Sequence, residues 1–485
     1  MQRSASTGTV GARVVITLLV IHLLAGAAFT QTASGPANSS HAAGLAAYPL
    51  KVSPNGRYLV DQNNVPFLIV GDVPQSLVTK VPTTDAEQYF ANREARGFNA
   101  LWINVLTAGP YYHNSPDDGS TYDGIRPFTG YVAGGTDTAH YDLSKPNDAY
   151  FARVDQMIML AANHGMLVFL DPIETGQWRH TLLNNGPLAA HDYGCYLGNR
   201  YERFDNIVWL NGNDFNHWKT PADDEVVKAV ALGIQSADPR HLQTIELNVE
   251  TSSSTDDPAW SSIISINGTY TYSPTYFQMW HSYNHSPAMP TFLLEGHYDL
   301  MDYGHPVDYG TPSVLRRQEY WAMLSGGKGQ LYGNGYTVEF LAGWKDFVDT
   351  VAVSQLMIWH SFFTSLPWQD IVPDEDHSVV TAGLGDPGDM NSRASRTEFC
   401  TASRTPDGSL VVAYLPTPRE ITVNMKSLRG AANGKWFDPN NGVYVPISGG
   451  PFPNIGERRF APPATNRGID DDDWVLLLEA GKTVQ

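Results

Sequence analysis

From residue 66 onward the chain alternates between two hydrophobic patterns. Short, nearly uninterrupted apolar runs fall at 66–72 (PFLIVGD), 99–105 (NALWINV), 166–172 (MLVFLDP), 206–214 (NIVWLNGND), 242–249 (LQTIELNV), 264–272 (ISINGTYTY), 290–296 (PTFLLEG) and 329–335 (GQLYGNG). Their length and their flanking turn residues predict strands. Between them the apolar residues recur at roughly three- to four-residue spacing, the helical period. TTDAEQYFANREARG (83–97) predicts a helix with Thr84 and Glu87 as a capping box and Gly97 as its stop. NDAYFARVDQMIMLAANHG (147–165) puts Phe151, Val154, Ile158 and Ala161 on one face and ends at Gly165. Further helices are predicted over 186–202, over 220–238 with Thr220 as cap and Pro221 in the first turn, over 275–284, over 313–327 and over about 344–366.

Strands that alternate with helices imply a parallel sheet, and eight such units imply an α/β fold, the (β/α)8 TIM barrel, over 48–367. An open doubly wound sheet is the alternative. The barrel is preceded by a hairpin that turns at Asn63-Asn64. After 367 the pattern changes to short strands separated by Pro, Gly and Asn, in SLVVAYLP, EITVNM, GKWFDPNNGVYVPI and DWVLLLEA, which predicts a small all-β sandwich over 368–485. At the other end, Arg3 and Arg13 precede the apolar run VVITLLVIHLLAGAAF and the small residues Ala25-Gly26-Ala27. This predicts a signal peptide over 1–30, a linker rich in small residues over 31–47, and a secreted or periplasmic protein. No later segment is apolar enough to span a membrane.

Composition narrows the partners. A net charge of -19 offers no basic field for nucleic acid or anionic membrane. The 12 Trp and 24 Tyr suit either sugar-stacking surfaces or the core of a large fold. Cys195 and Cys400 fall in different predicted domains and are expected as free, buried thiols. There is no G-x-S-x-G elbow, H-E-x-x-H or P-loop. Asp117, Asp118 and Asp123 and the acidic run at 470–473 read as solvated loops, so no metal and no cofactor are assigned. NGT at 267 matches a glycosylation acceptor. The sequence specifies no oligomeric state.

In a barrel of this kind the chemistry lies at the C-terminal strand ends. Those ends carry Asp72; Asn104; Asp171; Asn211, Asn213 and Asp214; Asn248 and Glu250; Tyr270 and Tyr272; Glu295 and His297; Tyr332 and Asn334. Asp214 and Glu295 each follow an apolar run, on the fourth and seventh strands, which face each other across the ring. Two such carboxylates are either rim ion-pair partners or the pair that cleaves a glycosidic bond. Trp178, Tyr272 and Tyr332 are expected to line the cleft, and Asp72, Asn104, Asn211, Asn213, Asn248, His297 and Asn334 to bind substrate with them.

Five collinear stretches, LKVSPNGRYLVDQNNVPFLIVGD, AEQYFANREARGFNALWINV, YFARVDQMIMLAANHGMLVFL, YGCYLGNRYERFDNIVWLNGNDFN and RRQEYWAMLSGGKGQLYG, resemble the apiosidase-like glycoside hydrolases, glycoside hydrolase family 140 and its relatives. The likeness runs from about 50 to 365. The tail resembles the β domain that usually follows, which commonly carries a collagen-binding label. The resemblance implies a retaining barrel enzyme that removes apiose or a related furanose from plant or microbial polysaccharide, with Asp214 as acid/base and Glu295 as nucleophile. On that mechanism, burial and its partner's charge should raise the Asp214 carboxyl, while hydrogen-bond donors should keep Glu295 charged. Two stretches depart from the family pattern. Gly71-Asp72-Val73-Pro74-Gln75 stands where Gly-Asp-Thr-Ala-Trp is usual, and Gly212-Asn213-Asp214 where Gly-Gly-Asp is usual. Both lie near the expected sugar pocket. A non-catalytic glycan- or matrix-binding protein on the same scaffold is the second class; the presence of both carboxylates favours the enzyme.

Overall fold

The structure, a computed structural model, describes residues 45–109, 112, 115–248, 251–302, 308–463 and 471–481. The expected signal peptide, most of the linker, and Glu250 lie outside them. All eight expected barrel strands form: β1 (Ile69–Asp72), β2 (Ala100–Asn104), β3 (Leu167–Asp171), β4 (Ile207–Leu210), β5 (Gln243–Thr244), β6 (Asn267–Thr271), β7 (Thr291–Glu295) and β8 (Gly329–Tyr332). They are parallel in the order β5-β4-β3-β2-β1-β8-β7-β6, and a short antiparallel strand, Thr251–Ser253, edges β6. The seam between β5 and β6 is stitched by Ser254. Its hydroxyl donates to the carbonyl of Ile245 at 2.5 Å and accepts the N–H of Gly268 at 2.9 Å.

Among the described residues seven helices longer than one turn wrap the strands: α1 (Thr83–Ala95), α2 (Asp148–Asn163), α3 (Thr175–Tyr201), α4 (Pro221–Ala237), α5 (Thr275–Tyr283), α6 (Pro312–Leu324) and α7 (Val351–Thr364). Gly97 and Gly165 stop α1 and α2 at positive φ, as their positions predict. Several boundaries differ from expectation. The Thr84–Glu87 capping box is not used, because α1 starts two residues earlier, behind Pro82. Thr220 occupies the cap of α4 without a side-chain bond. The helix expected from 186 begins at Thr175, where the Glu174 carboxylate accepts two backbone N–H groups, and it kinks at Gly186-Pro187. The long helix expected over 344–366 divides into a 3-10 turn, Trp344–Phe347, and α7.

Strand phase decides what faces the barrel interior. Ile69, Ala100, Trp102, Leu167, Phe169, Val208, Leu210, Phe292, Leu294 and Leu331 share one inner core, in which Phe169 and Phe292 stack at 5.3 Å. The intervening residues pack outward against the helices.

The C-terminal region forms a six-stranded and a three-stranded antiparallel sheet. Two central strands, Leu410–Leu415 and Trp474–Ala480, explain their continuous apolar sequence by burial on both faces. Val411, Ala413, Leu476 and Leu478 pack toward the smaller sheet. Leu410, Val412, Tyr414, Val475 and Leu477 pack on Trp321, Leu356 and Phe363 of the barrel helices. Tyr320 stacks on Tyr414 at 4.8 Å, and buried Arg316 pairs with Asp473 at 3.0 Å. The described residues form one compact unit.

Candidate active site

Asp214 follows β4 on a bend at Gly212 and at Asp214 itself, where φ is +87° and +49°. A side chain at position 212 would meet Thr175, and the Gly212 N–H donates to Asp171 at 3.1 Å. The bend turns half-buried Asp214 into the mouth, where its Oδ1 accepts from Asn248 Nδ2 at 2.5 Å.

Glu295 ends β7. Strict alternation from Phe292 and Leu294 would send it outward to the helices. The register shifts there, with Thr269 opposite Leu293 and Tyr270 opposite Glu295, and this irregularity re-aims the carboxylate. Its two oxygens accept the hydroxyls of Tyr272, at 2.5 Å, and Tyr298, at 2.7 Å.

A third carboxylate stands between these two. Thr244, Glu246 and Asn248 share the inward phase beyond β5, while Ile245 and Leu247 join the outer core. Glu246 is 1% exposed, and its Oε2 accepts the backbone N–H of Asp214 at 2.9 Å. Glu246 is not among the expected site residues, which on this strand are Asn248 and Glu250, although its position inside TIELN gives the phase away.

Burial raises the Glu295 carboxyl well above the usual range, and repulsion from Asp214 adds to this. The Tyr272 and Tyr298 hydroxyls pull it back only in part. The expected donors to Glu295 are present, but burial and its partner's charge act on Glu295 as well, where the expectation placed them on Asp214. Burial also lifts Asp171, at the end of β3, to about 8. His297 is held neutral, with burial lowering it to about 4; its ring bonds Gln318, and buried Nε2 has no protein partner.

On the opposite side Asn104, Tyr112, Gln75 and Asn213 form one network. Asn104 Nδ2 donates to the Tyr112 hydroxyl at 2.9 Å, Asn213 Nδ2 does so at 3.3 Å, and that hydroxyl donates to Gln75 at 3.1 Å. The two stretches that depart from the family pattern thus meet at a single tyrosine that sequence reading did not single out. Asn211 bonds Gln243 and Thr244 beneath the mouth.

Four expected site residues are placed elsewhere. Asp72 and Tyr332 are register partners on β1 and β8, and both point outward. Asp72 is fully buried against Arg93 and Tyr89, and Tyr332 donates to Asp299 at 2.7 Å. Trp178 is fully buried and stacked on Tyr141 at 6.0 Å. Asn334 shapes its own loop by accepting the N–H groups of Tyr336 and Thr337. Several members of the acidic stretches pair with cations: Asp118 with Arg126, Asp123 with Arg153, Asp471 and Asp473 with Arg316. Among the described residues no group of three or more acidic, His or Cys side chains is arranged to hold a metal. Asn267 lies buried in β6, which removes it as a glycosylation site. Cys195 and Cys400 are unpaired, the first half-buried and the second buried.

A (β/α)8 barrel whose mouth gathers carboxylates, amides and tyrosines defines a glycoside hydrolase. The chain belongs to the apiosidase-like family. That family's model, described as "Apiosidase-like, catalytic domain", matches residues 53–370, and a second, described as "Putative collagen-binding domain of a collagenase", matches 390–479. Among solved structures, a glycoside hydrolase aligns at 20% identity and TM-score 0.74 over 90% of this chain and 98% of its own. A glycoside hydrolase family 5 protein from Bacteroides vulgatus aligns at 20% identity and TM-score 0.71 over 90% and 95%. At that identity these two speak to the fold alone. Comparison with curated proteins finds no match.

Proposed function

We propose that this protein is an exported retaining glycosidase that releases an apiose-like or arabinose-like furanose from plant or microbial polysaccharide. Glu295 attacks the anomeric carbon while Asp214 protonates the leaving oxygen. Asp214 then takes a proton from the water that releases the sugar, restoring Glu295. The observation that carries this reading is the grip of Tyr272 and Tyr298 on both oxygens of Glu295, opposite Asp214. Oriented donors fix a carboxylate for attack and favour its charged form against the burial that opposes it. Asp214 is the more open of the pair, as a group that must meet both a leaving oxygen and a water has to be. Neutral His297 leaves Nε2 to accept a sugar hydroxyl. Export rests on the charged and apolar pattern of the first thirty residues.

The test is a screen of pectic and arabinan-type glycans and aryl furanosides for released monosaccharide, with proton NMR of the first-formed anomer. Release of a furanose with retained configuration supports the proposal; an inverted product, or no release from any of them, refutes it.

A further inference from the structure

Glu246 has a place in this site that two-carboxylate chemistry does not explain. Its Oε2 is satisfied by the Asp214 N–H, but Oε1 is buried and meets no N–H or O–H donor. The ionisable groups that act on it are Glu295 from β7, Asp214 from beyond β4 and Asp171 from β3, all carboxyl groups, with the Tyr270 hydroxyl of β6 alongside. No cation is among these groups. A buried carboxylate oxygen without a donor is costly, and the cost disappears when that oxygen carries a proton of its own. A side-chain hydrogen bond from Glu246 is among the interactions that favour the charged form of Glu295, which makes Glu295 the acceptor for that proton.

We propose that Glu246 is a neutral carboxylic acid that donates its proton to the Glu295 carboxylate while its other oxygen holds the Asp214 amide. It is a positioning residue that ties both catalytic carboxylates through one side chain. This rests on the roles given to Asp214 and Glu295 above. Burial raises the Glu246 carboxyl well above the ordinary range, with repulsion from Glu295 and Asp214 adding to it. Glu295 then receives three O–H donors, from Tyr272, Tyr298 and Glu246, and becomes able to carry charge in a buried place.

Glu246→Gln and Glu246→Leu separate the possibilities. Gln keeps an N–H donor toward Glu295 and a carbonyl acceptor for Asp214, and it cannot titrate. Glu246→Gln is expected to keep kcat within about threefold of wild type and to leave the acid limb of the kcat/KM profile in place, because a neutral group replaces a neutral group. Glu246→Leu is expected to lose at least about tenfold in kcat/KM and to move the acid limb to higher pH, since Glu295 loses a donor. If Glu246 were charged in the wild type, Glu246→Gln would instead shift the acid limb to lower pH by about a unit or more, which overturns the proposal. An infrared difference spectrum, wild type minus Glu246→Gln in D2O at neutral pH, reads the proton without reference to activity. A protonated-carboxyl carbonyl band supports the proposal and its absence overturns it. A band together with full activity in Glu246→Leu overturns the positioning role. If Glu295→Ala stays active while the band is present, the assigned catalytic roles fail and the neutrality of Glu246 stands.

Discussion

The Tyr272 hydroxyl donates to Oε1 of Glu295 at 2.5 Å, and the rings of Tyr270 and His297 both meet Tyr272 edge to face. The hydroxyl is thus locked in direction. Tyr272→Phe removes a donor to a carboxylate whose burial already opposes charge. A hydrogen bond to a charged group contributes about 1.5–3 kcal/mol, so kcat/KM at neutral pH should fall roughly ten- to a hundredfold. The acid limb should also move to higher pH by about a unit, because the ionised form of Glu295 is the one that loses stabilisation. A loss of activity with the limb unmoved would mean that Tyr272 acts on substrate instead.

Asp72 faces away from the mouth and into Arg93, with neither side chain exposed. Removing one partner leaves an uncompensated buried charge, at a cost of about 3–5 kcal/mol. Asp72→Asn should therefore lower the thermal midpoint markedly and leave KM of the folded fraction unchanged. A raised KM at unaltered stability would return Asp72 to the substrate pocket.

Strand order and helix alternation were legible because each apolar run is long enough to be covered on both sides. What proximity to a strand end did not give was phase. Asp72 and Tyr332 stand at strand ends but on the outward step, whereas Glu246 stands on the inward step of its strand and was passed over. Counting alternate residues back from Asn248 would have found it. Glu295 was found for a reason that phase alone contradicts, since the register shift beside Leu294 reverses its direction. Such a shift leaves no mark in the residues themselves. Trp178 was placed by its aromatic character, yet the helix that carries it begins eleven residues earlier than its sequence suggested, at Thr175 in place of 186, which puts the ring in the core.

The stability of the protein should fall as pH rises through the neutral range. Burial lifts the Asp171 carboxyl to about 8, and its Oδ2 has no partner while Oδ1 accepts from Ile173 and Gly212. An unfolded aspartate titrates near about 3.9, so between the two values the folded chain holds a proton that the unfolded chain has released. The contribution is complete below about pH 4 and is lost progressively up to about pH 8, at no more than about 1.4 kcal/mol per unit. Asp171→Asn keeps an acceptor and does not titrate. Thermal midpoints measured at about pH 5 and about pH 8 should differ less in Asp171→Asn than in the wild type. Equal differences would mean that Asp171 is ionised throughout.

The C-terminal sheet is part of the barrel's own core. A chain ending near 370 would uncover Trp321, Leu356 and Phe363 and strand buried Arg316 without Asp473. It should be insoluble. Because truncation changes many things at once, Tyr414→Ala is the finer probe. It empties the site stacked on Tyr320 and should cost about 3–5 kcal/mol, the range for a large buried ring. Recovery of a soluble, fully active barrel alone would contradict both expectations.

The roles of Asp214 and Glu295 are separable by leaving group. A nitrophenolate departs with little protonation, so losing the acid matters less on an activated aryl furanoside than on the natural glycan. Losing the nucleophile matters equally on both. Asp214→Ala also opens space beside the anomeric carbon for a small anion, and its backbone N–H can remain bonded to Glu246, so the bend should survive. Asp214→Ala is therefore expected to form glycosyl-enzyme on the aryl substrate, to turn over faster with azide, and to give a glycosyl azide of retained configuration. Glu295→Ala is expected to be inactive on both substrates or to give only the inverted azide, because azide then attacks from the side Glu295 vacates in a single displacement. The measurement is the rate on each substrate with and without azide, and the anomeric configuration of the azide product. Exchanged behaviours would reverse the two roles, and activity of both variants on the natural glycan would place the chemistry at another site.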